Sequence, residues 1–165
     1  MLRMLRVVAV VVPLWVGLGV SGAAQAQSGS HGANEFGLGL IIGNPTGVSG
    51  KYFLSREIAI DGALGLAFID GEHLRLHADV LWHFGVAQWP AAGLDLYVGV
   101  GPVLASHHHR RDNDGLGLGA RAPFGAALTF TGAPIDVFLE IAADLWLIDH
   151  VHLGLDAAIG VRYWF

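Results

Sequence analysis

From residue 35 onward, the chain alternates between apolar side chains and polar or small ones. A β-strand sends successive side chains to opposite faces, so this alternation predicts strands with one apolar face and one polar face. The clearest case is residues 73–84. There Leu74, Leu76, Ala78, Val80, Trp82 and Phe84 alternate with His73, Arg75, His77, Asp79, Leu81 and His83.

Eight such segments lie between turn signals, at residues 35–43, 47–55, 58–69, 73–84, 94–105, 116–130, 135–147 and 153–165. A tilted strand needs ~9–11 residues to cross a bilayer, and these segments suffice. An even number of up-and-down strands closes a sheet and removes its edges, as lipid requires. The sequence therefore predicts an all-β fold, an eight-stranded antiparallel up-and-down transmembrane β-barrel over residues 35–165.

The alternation also fits a water-soluble barrel with its apolar face inside. The polar face instead favours a membrane barrel, because it is rich in glycine and carries charges of both signs that can pair in a narrow lumen. The predicted lumen charge cluster comprises Lys51, Asp61, Arg75, Asp79, Arg121, Glu140, Asp144, Asp156 and Arg162, with Asp95 and Asp136 on the same face. We interpret it as a structural salt-bridge plug; the alternative is a proton or ion path.

One part of this cluster follows from strand pairing. If residues 131–134 form a tight turn between the sixth and seventh strands, Arg121 lies near Asp144, and Asp156 on the eighth strand is close to both. One guanidinium can bond bidentately to one carboxylate and still donate to another.

Residues 1–26 have the features of a secretory signal peptide, with Arg3 and Arg6 before an apolar run and Ala24-Gln25-Ala26 as a cleavage site. Residues 27–34 predict a flexible N-terminal leader. Without the signal, seven basic and fourteen acidic residues remain, a formal charge of −7, which does not suggest nucleic acid as a partner. The chain has no cysteine, which excludes disulfides and a lipid anchor on an N-terminal Cys.

Aromatic residues gather at one predicted rim: Phe36, Tyr52, Phe84, Trp89, Phe130, Tyr163 and Phe165. If the N-terminus is periplasmic, this rim is the aromatic girdle at the periplasmic face. The bilayer lipid of the bacterial outer membrane is then a partner. The opposite turns lie at the cell surface, and the longest of them, between Ser106 and Gly115, is the candidate contact for an extracellular partner.

Three resemblances support this expectation. The strand ending at Phe165 resembles the closing strand of outer-membrane barrels, which implies recognition by the barrel-assembly machinery, and the whole pattern is similar to small OmpA/OmpX-type eight-stranded barrels. Particular stretches resemble a domain-of-unknown-function family of small outer-membrane barrels known from spirochaetes. They are residues 43–52, 59–62, 77–84, 133–140 and 158–165. The family resemblance implies surface exposure and supplies no catalytic residues.

Histidines and acids near two predicted outer turns are candidate metal ligands: His107, His108, His109, Asp112, Asp114, His150 and His152, with Asp149 beside them. Imidazoles and carboxylates together suit transition metals. The alternative is a solvated, His-rich loop. No motif indicates a cofactor. A hydrolytic site needs a serine, a histidine and an acid within hydrogen-bond reach. Such a site is not expected here, because Ser106 is the one serine that adjoins a run of histidines, and it lies in a loop. The sequence thus predicts a non-enzymatic barrel of structural or surface-interaction type, with a narrow channel or a metal-binding surface protein as the alternative.

Overall fold

A computed structural model of the chain describes residue 31 and residues 35–67, 72–108, 114–148 and 151–165. The predicted signal peptide lies outside the described residues, as does the predicted leader apart from His31. Among the described residues, no helix has the length and hydropathy that a membrane-crossing helix needs.

Eight β-strands form a closed barrel in which each strand pairs antiparallel with the next and β8 returns to β1. The strands are β1 Phe36–Gly43, β2 Thr46–Phe53, β3 Ile58–Leu66, β4 Glu72–Gln88, β5 Ala92–His108, β6 Asp114–Phe130, β7 Ile135–Trp146 and β8 His152–Trp164. At the closing seam, Leu40 pairs with Val161 on one side and with Val48 on the other. The predicted eight-stranded antiparallel barrel is confirmed.

The alternation of the sequence becomes an alternation between the lumen and the outer surface. In β7, Val137, Leu139 and Ile141 are exposed, whereas Phe138 and Glu140 between them are buried. The other strands follow the same rule, so large apolar side chains cover the outside and the charged ones fill the inside. Glycines make room for bulky lumen side chains: a Cβ at Gly125 would overlap the Tyr97 ring, and one at Gly160 would overlap the Phe138 ring.

Two predicted loops are shorter in the structure than the sequence suggested. β4 continues through the predicted loop at residues 85–93 as far as Gln88, with a register shift between Gly85 and Ala87. The loop predicted between Ser106 and Gly115 is largely strand, since β5 reaches His108 and β6 begins at Asp114. Polar composition did not end these strands because ladder hydrogen bonds join backbone groups, whichever side chain each residue carries. Residues 109–113 between them lie outside the described residues.

The barrel has two rims, which we name by their content. The terminal rim holds Glu35, Phe165 and the turns at residues 54–57, 89–91 and 131–134; the far rim holds the turn at residues 44–45 and the opposite ends of the strands. The seven aromatic residues predicted to gather at one rim all lie at the terminal rim and are exposed on the outer surface.

Candidate functional site

The lumen holds every residue of the predicted charge cluster. Its nine members, and Asp95 and Asp136 with them, are each at most 7% exposed. They point inward because each occupies the lumen-facing register of its strand. Buried charges are tolerated only when they are paired and hydrogen-bonded, so the pairing within the lumen determines what it can do.

Arg121 is the centre of the cluster. Its guanidinium donates from Nη2 to Glu140 Oε1 at 2.6 Å, and from Nη1 to Asp156 Oδ2 at 3.2 Å and to Asp144 Oδ1 at 3.4 Å. Its Nε lies 3.4 Å from Asp79 Oδ2. One cation therefore faces carboxyl groups from β4, β7 and β8, and it ties three walls of the barrel together across the lumen.

Arg75 reinforces the same group towards the far rim. Its guanidinium forms ion pairs with Asp144 and Asp156, and it lies 5.3 Å from the centre of the Trp146 ring. Asn44, in the turn between β1 and β2, donates its side-chain amide to Asp156 Oδ1 at 2.7 Å. The far end of the ionic cluster is thus capped by a turn residue that the sequence analysis did not single out.

A second centre forms around Arg162 on β8, nearer the terminal rim. Arg162 donates to Ser49 Oγ at 2.9–3.0 Å and to Asp61 Oδ1 at 2.8 Å. Its guanidinium also lies 3.7 Å from the centre of the Phe138 ring, which is close enough for a cation–π contact. Asp136 is its direct cross-strand neighbour on β7.

Lys51 is a buried lumen cation held mainly by rings. Its Nζ lies 4.4 Å from the centre of the Tyr97 ring and 3.5 Å from Nε2 of His83. Asp61 is its cross-strand partner in the β2–β3 register. Tyr97 in turn donates its hydroxyl to Glu140 Oε2 at 2.9 Å, which links Lys51 to the Arg121 group.

A column of rings extends through the lumen towards the terminal rim. His31 lies 4.0 Å from the Trp164 ring and 4.9 Å from the Phe53 ring; Phe53 lies 4.8 Å from His83, and His83 lies 5.1 Å from Tyr97. The His31 ring also hydrogen-bonds Glu35 at 2.8 Å and Thr129 at 3.0 Å. Period-two alternation could have identified His83 and Tyr97 as lumen residues, but no sequence signal placed His31.

The predicted metal ligands are only partly described. His108 pairs with Asp114 across the β5–β6 ladder, and His107 with Gly115. His152 begins β8, where its ring stacks 6.2 Å from that of Trp146. His109, Asp112, Asp149 and His150 lie outside the described residues. Within the described part of the chain, no three or more His, Cys, Asp or Glu residues are grouped to hold a metal ion. The metal site remains a prediction.

Comparison with known proteins supports the fold. No protein-family model and no curated protein matches the chain, so the resemblance to the spirochaete family remains a prediction. Among solved structures, the chain is similar to the N-terminal β-barrel domain of Pseudomonas aeruginosa OprF. The TM-score is 0.58 and the sequence identity 21%, over 82% of this chain and 100% of that domain. At this identity the likeness establishes a shared fold, the antiparallel β-barrel.

Proposed function

We propose that this protein is a small integral barrel of the bacterial outer membrane, with a lumen closed by its own side chains. The observation that carries the proposal is the distribution of side chains across the barrel wall. Large apolar residues are exposed on the outside of every strand, with Leu155 the most exposed at 77%, while the charged residues of the lumen cluster are buried.

A water-soluble barrel would need the reverse arrangement. Soluble monomers rarely expose contiguous apolar patches larger than a few hundred Å², because such surface attracts other molecules. Here the apolar surface is continuous around the barrel, and acyl chains would cover it at no cost in lost hydrogen bonds. Each strand of the closed sheet pairs with a neighbour on both sides, so the sheet has no open edge, as a membrane interior demands.

Three further features support a location in the outer membrane. The predicted signal peptide would direct the chain out of the cytoplasm. The exposed aromatic residues at the terminal rim suit a membrane–water interface, and β8 with Phe165 after it would be the segment that the barrel-assembly machinery recognises. With the terminal rim in the periplasm, the far rim and the segment at residues 109–113 would face the cell exterior.

Within this setting we propose a structural or surface-interaction role rather than an enzymatic one. The polar groups of the lumen are engaged mostly with one another, and an eight-stranded barrel is only wide enough for side chains to fill it. The part available to an external partner would be the β5–β6 hairpin between Ser106 and Gly115.

Protease treatment of intact cells tests location and orientation together. We expect cleavage after Arg110 or Arg111, with a barrel fragment that stays in the outer-membrane fraction and resists extraction by urea. An Arg110→Gln, Arg111→Gln variant is the matched control and should resist the protease. Recovery of the mature chain as a water-soluble monomer without detergent would refute the proposal.

A further inference from the structure

The lumen contains more acid than permanent base. Four cations, Lys51, Arg75, Arg121 and Arg162, share it with seven carboxyl groups, Asp61, Asp79, Asp95, Asp136, Glu140, Asp144 and Asp156, and all are buried. With every carboxyl ionised, three negative charges in the described lumen would have no permanent counter-charge. A sealed interior penalises such charge heavily, so groups in it take up protons instead.

Among the carboxyl groups around Arg121, Asp79 is the one that accepts no hydrogen bond within the described residues. The hydrogen bonds of Arg121 go to Glu140, Asp144 and Asp156, whereas neither oxygen of Asp79 has a hydrogen-bond partner among the described residues. The Nε of Arg121, 3.4 Å away, makes an ion-pair contact only.

A histidine lies beside this carboxyl, and it too has no hydrogen-bond partner in the part of the chain that the structure describes. His77 is two residues before Asp79 on the same face of β4, and its side chain is 1% exposed. Neither ring nitrogen is hydrogen-bonded within the described residues, and Nε2 lies 3.8 Å from Asp79 Oδ2. A small rotation of either side chain would bring the two within hydrogen-bond distance.

Asp79 faces a second acid across the strand ladder. Asp61 is directly opposite it in the β3–β4 register, and like charges at directly opposed positions repel. On β5 the facing position is Gly101, where a side chain would overlap Asp79. The charged and titratable groups around the pair are Asp61 on β3, Arg75 on β4, Tyr97 on β5, Arg121 on β6, Glu140 and Asp144 on β7, and Asp156 and Arg162 on β8, with Lys51 on β2 beyond Asp61.

We propose that Asp79 and His77 together bind one proton at neutral pH, so that the stability of the lumen charge cluster, and with it that of the folded barrel, depends on this proton. The proton lies on the carboxyl or on the imidazole, and in either place it lowers the excess negative charge of the lumen by one. Loss of this proton leaves two facing carboxylates, Asp61 and Asp79, which repel each other and destabilise the folded barrel.

The sign of the pH dependence follows from proton counting. Above about pH 7 an unfolded Asp and His together bind almost no proton, whereas the folded pair binds one. Unfolding therefore releases a proton, and the unfolding equilibrium constant should rise up to about tenfold per pH unit while the folded pair stays protonated. Folding stability falls as pH rises and levels off once the folded protein also releases the proton.

The experiment compares the purified full chain in detergent with its Asp79→Asn variant, between pH 6 and pH 9. Asn keeps the size of the side chain and needs no proton, so the variant should lose this component of the pH dependence. Potentiometric titration at pH 7 should show that unfolding of the variant releases up to about one proton fewer than unfolding of the wild type. Glu57→Gln, an equal charge change in an exposed turn, should behave like the wild type.

Equal proton release from the wild type and the Asp79→Asn variant would overturn the proposal. If the variant does not fold, the wild type alone decides: an unfolding constant that does not rise above pH 7 excludes a proton held by the folded pair. Neither result depends on whether the barrel resides in the outer membrane.

Discussion

Arg121 on β6 and Asp144 on β7 face each other directly across the strand ladder, with Nη1 and Oδ1 3.4 Å apart. The β6–β7 register continues to the tight turn at residues 131–134, which fixes this opposition. Asp156 on β8 completes the group at 3.2 Å from the same nitrogen. A local turn therefore determines a contact at the centre of the barrel.

Removing the guanidinium should destabilise the barrel. Arg121→Ala leaves four carboxyl groups around an empty space, and breaking a buried ion pair on one side typically costs about 3–5 kcal/mol. We expect a clear fall in the temperature at which the folded band converts to the unfolded band on a heat-modifiability gel.

Arg56→Ala is the matched control for this change. Arg56 is exposed in the turn between β2 and β3, so its loss should alter stability by no more than about 0.5 kcal/mol. An Arg121→Ala barrel that unfolds at the wild-type temperature would show that the cluster does not hold the barrel together.

The outer face gives a depth-dependent prediction. Ile141 is exposed near the middle of β7, and Leu147 is exposed just beyond its far end. Arginine on a lipid-facing side costs about 2–4 kcal/mol near the bilayer midplane and about 0–1 near the interfaces. Ile141→Arg should therefore destabilise the barrel in lipid vesicles much more than Leu147→Arg, as measured by urea unfolding. Equal effects at the two positions would contradict a lipid-covered outer wall.

Much of this architecture could be predicted because each strand obeys a period of two. The alternation assigned all nine cluster residues to the buried face, and the turn at residues 131–134 placed Arg121 beside Asp144 and Asp156. Strand ends were less predictable. β5 and β6 continue into polar sequence, because the two strands pair with each other beyond the last residues of the apolar alternation. The position of His31 could not be predicted, because its contacts with Trp164 and Thr129 depend on the closed barrel rather than on neighbouring residues.

Glycines in the wall should matter according to what lies beside them. Gly125→Ala would place a methyl group against the Tyr97 ring, which also donates to Glu140, whereas Gly50→Ala meets nothing closer than 3.9 Å. Overpacking of this kind typically costs about 1–3 kcal/mol. We expect urea unfolding to show a lower stability for Gly125→Ala and no loss for Gly50→Ala. Similar stabilities for the two variants would mean that Tyr97 does not occupy this space.

Two barriers in series should keep the lumen from conducting. The Arg121 group spans the lumen between β4, β7 and β8, and the ring column from Tyr97 to His31 fills the terminal side. In planar bilayers, the wild type should therefore show no steady, discrete conductance, and an inserted porin in the same membrane serves as the positive control. Arg121→Ala should also remain silent, because the ring column still blocks the path. Steady conductance by the wild type would contradict the filled lumen, and conductance by Arg121→Ala alone would mean that the ring column does not seal the terminal side.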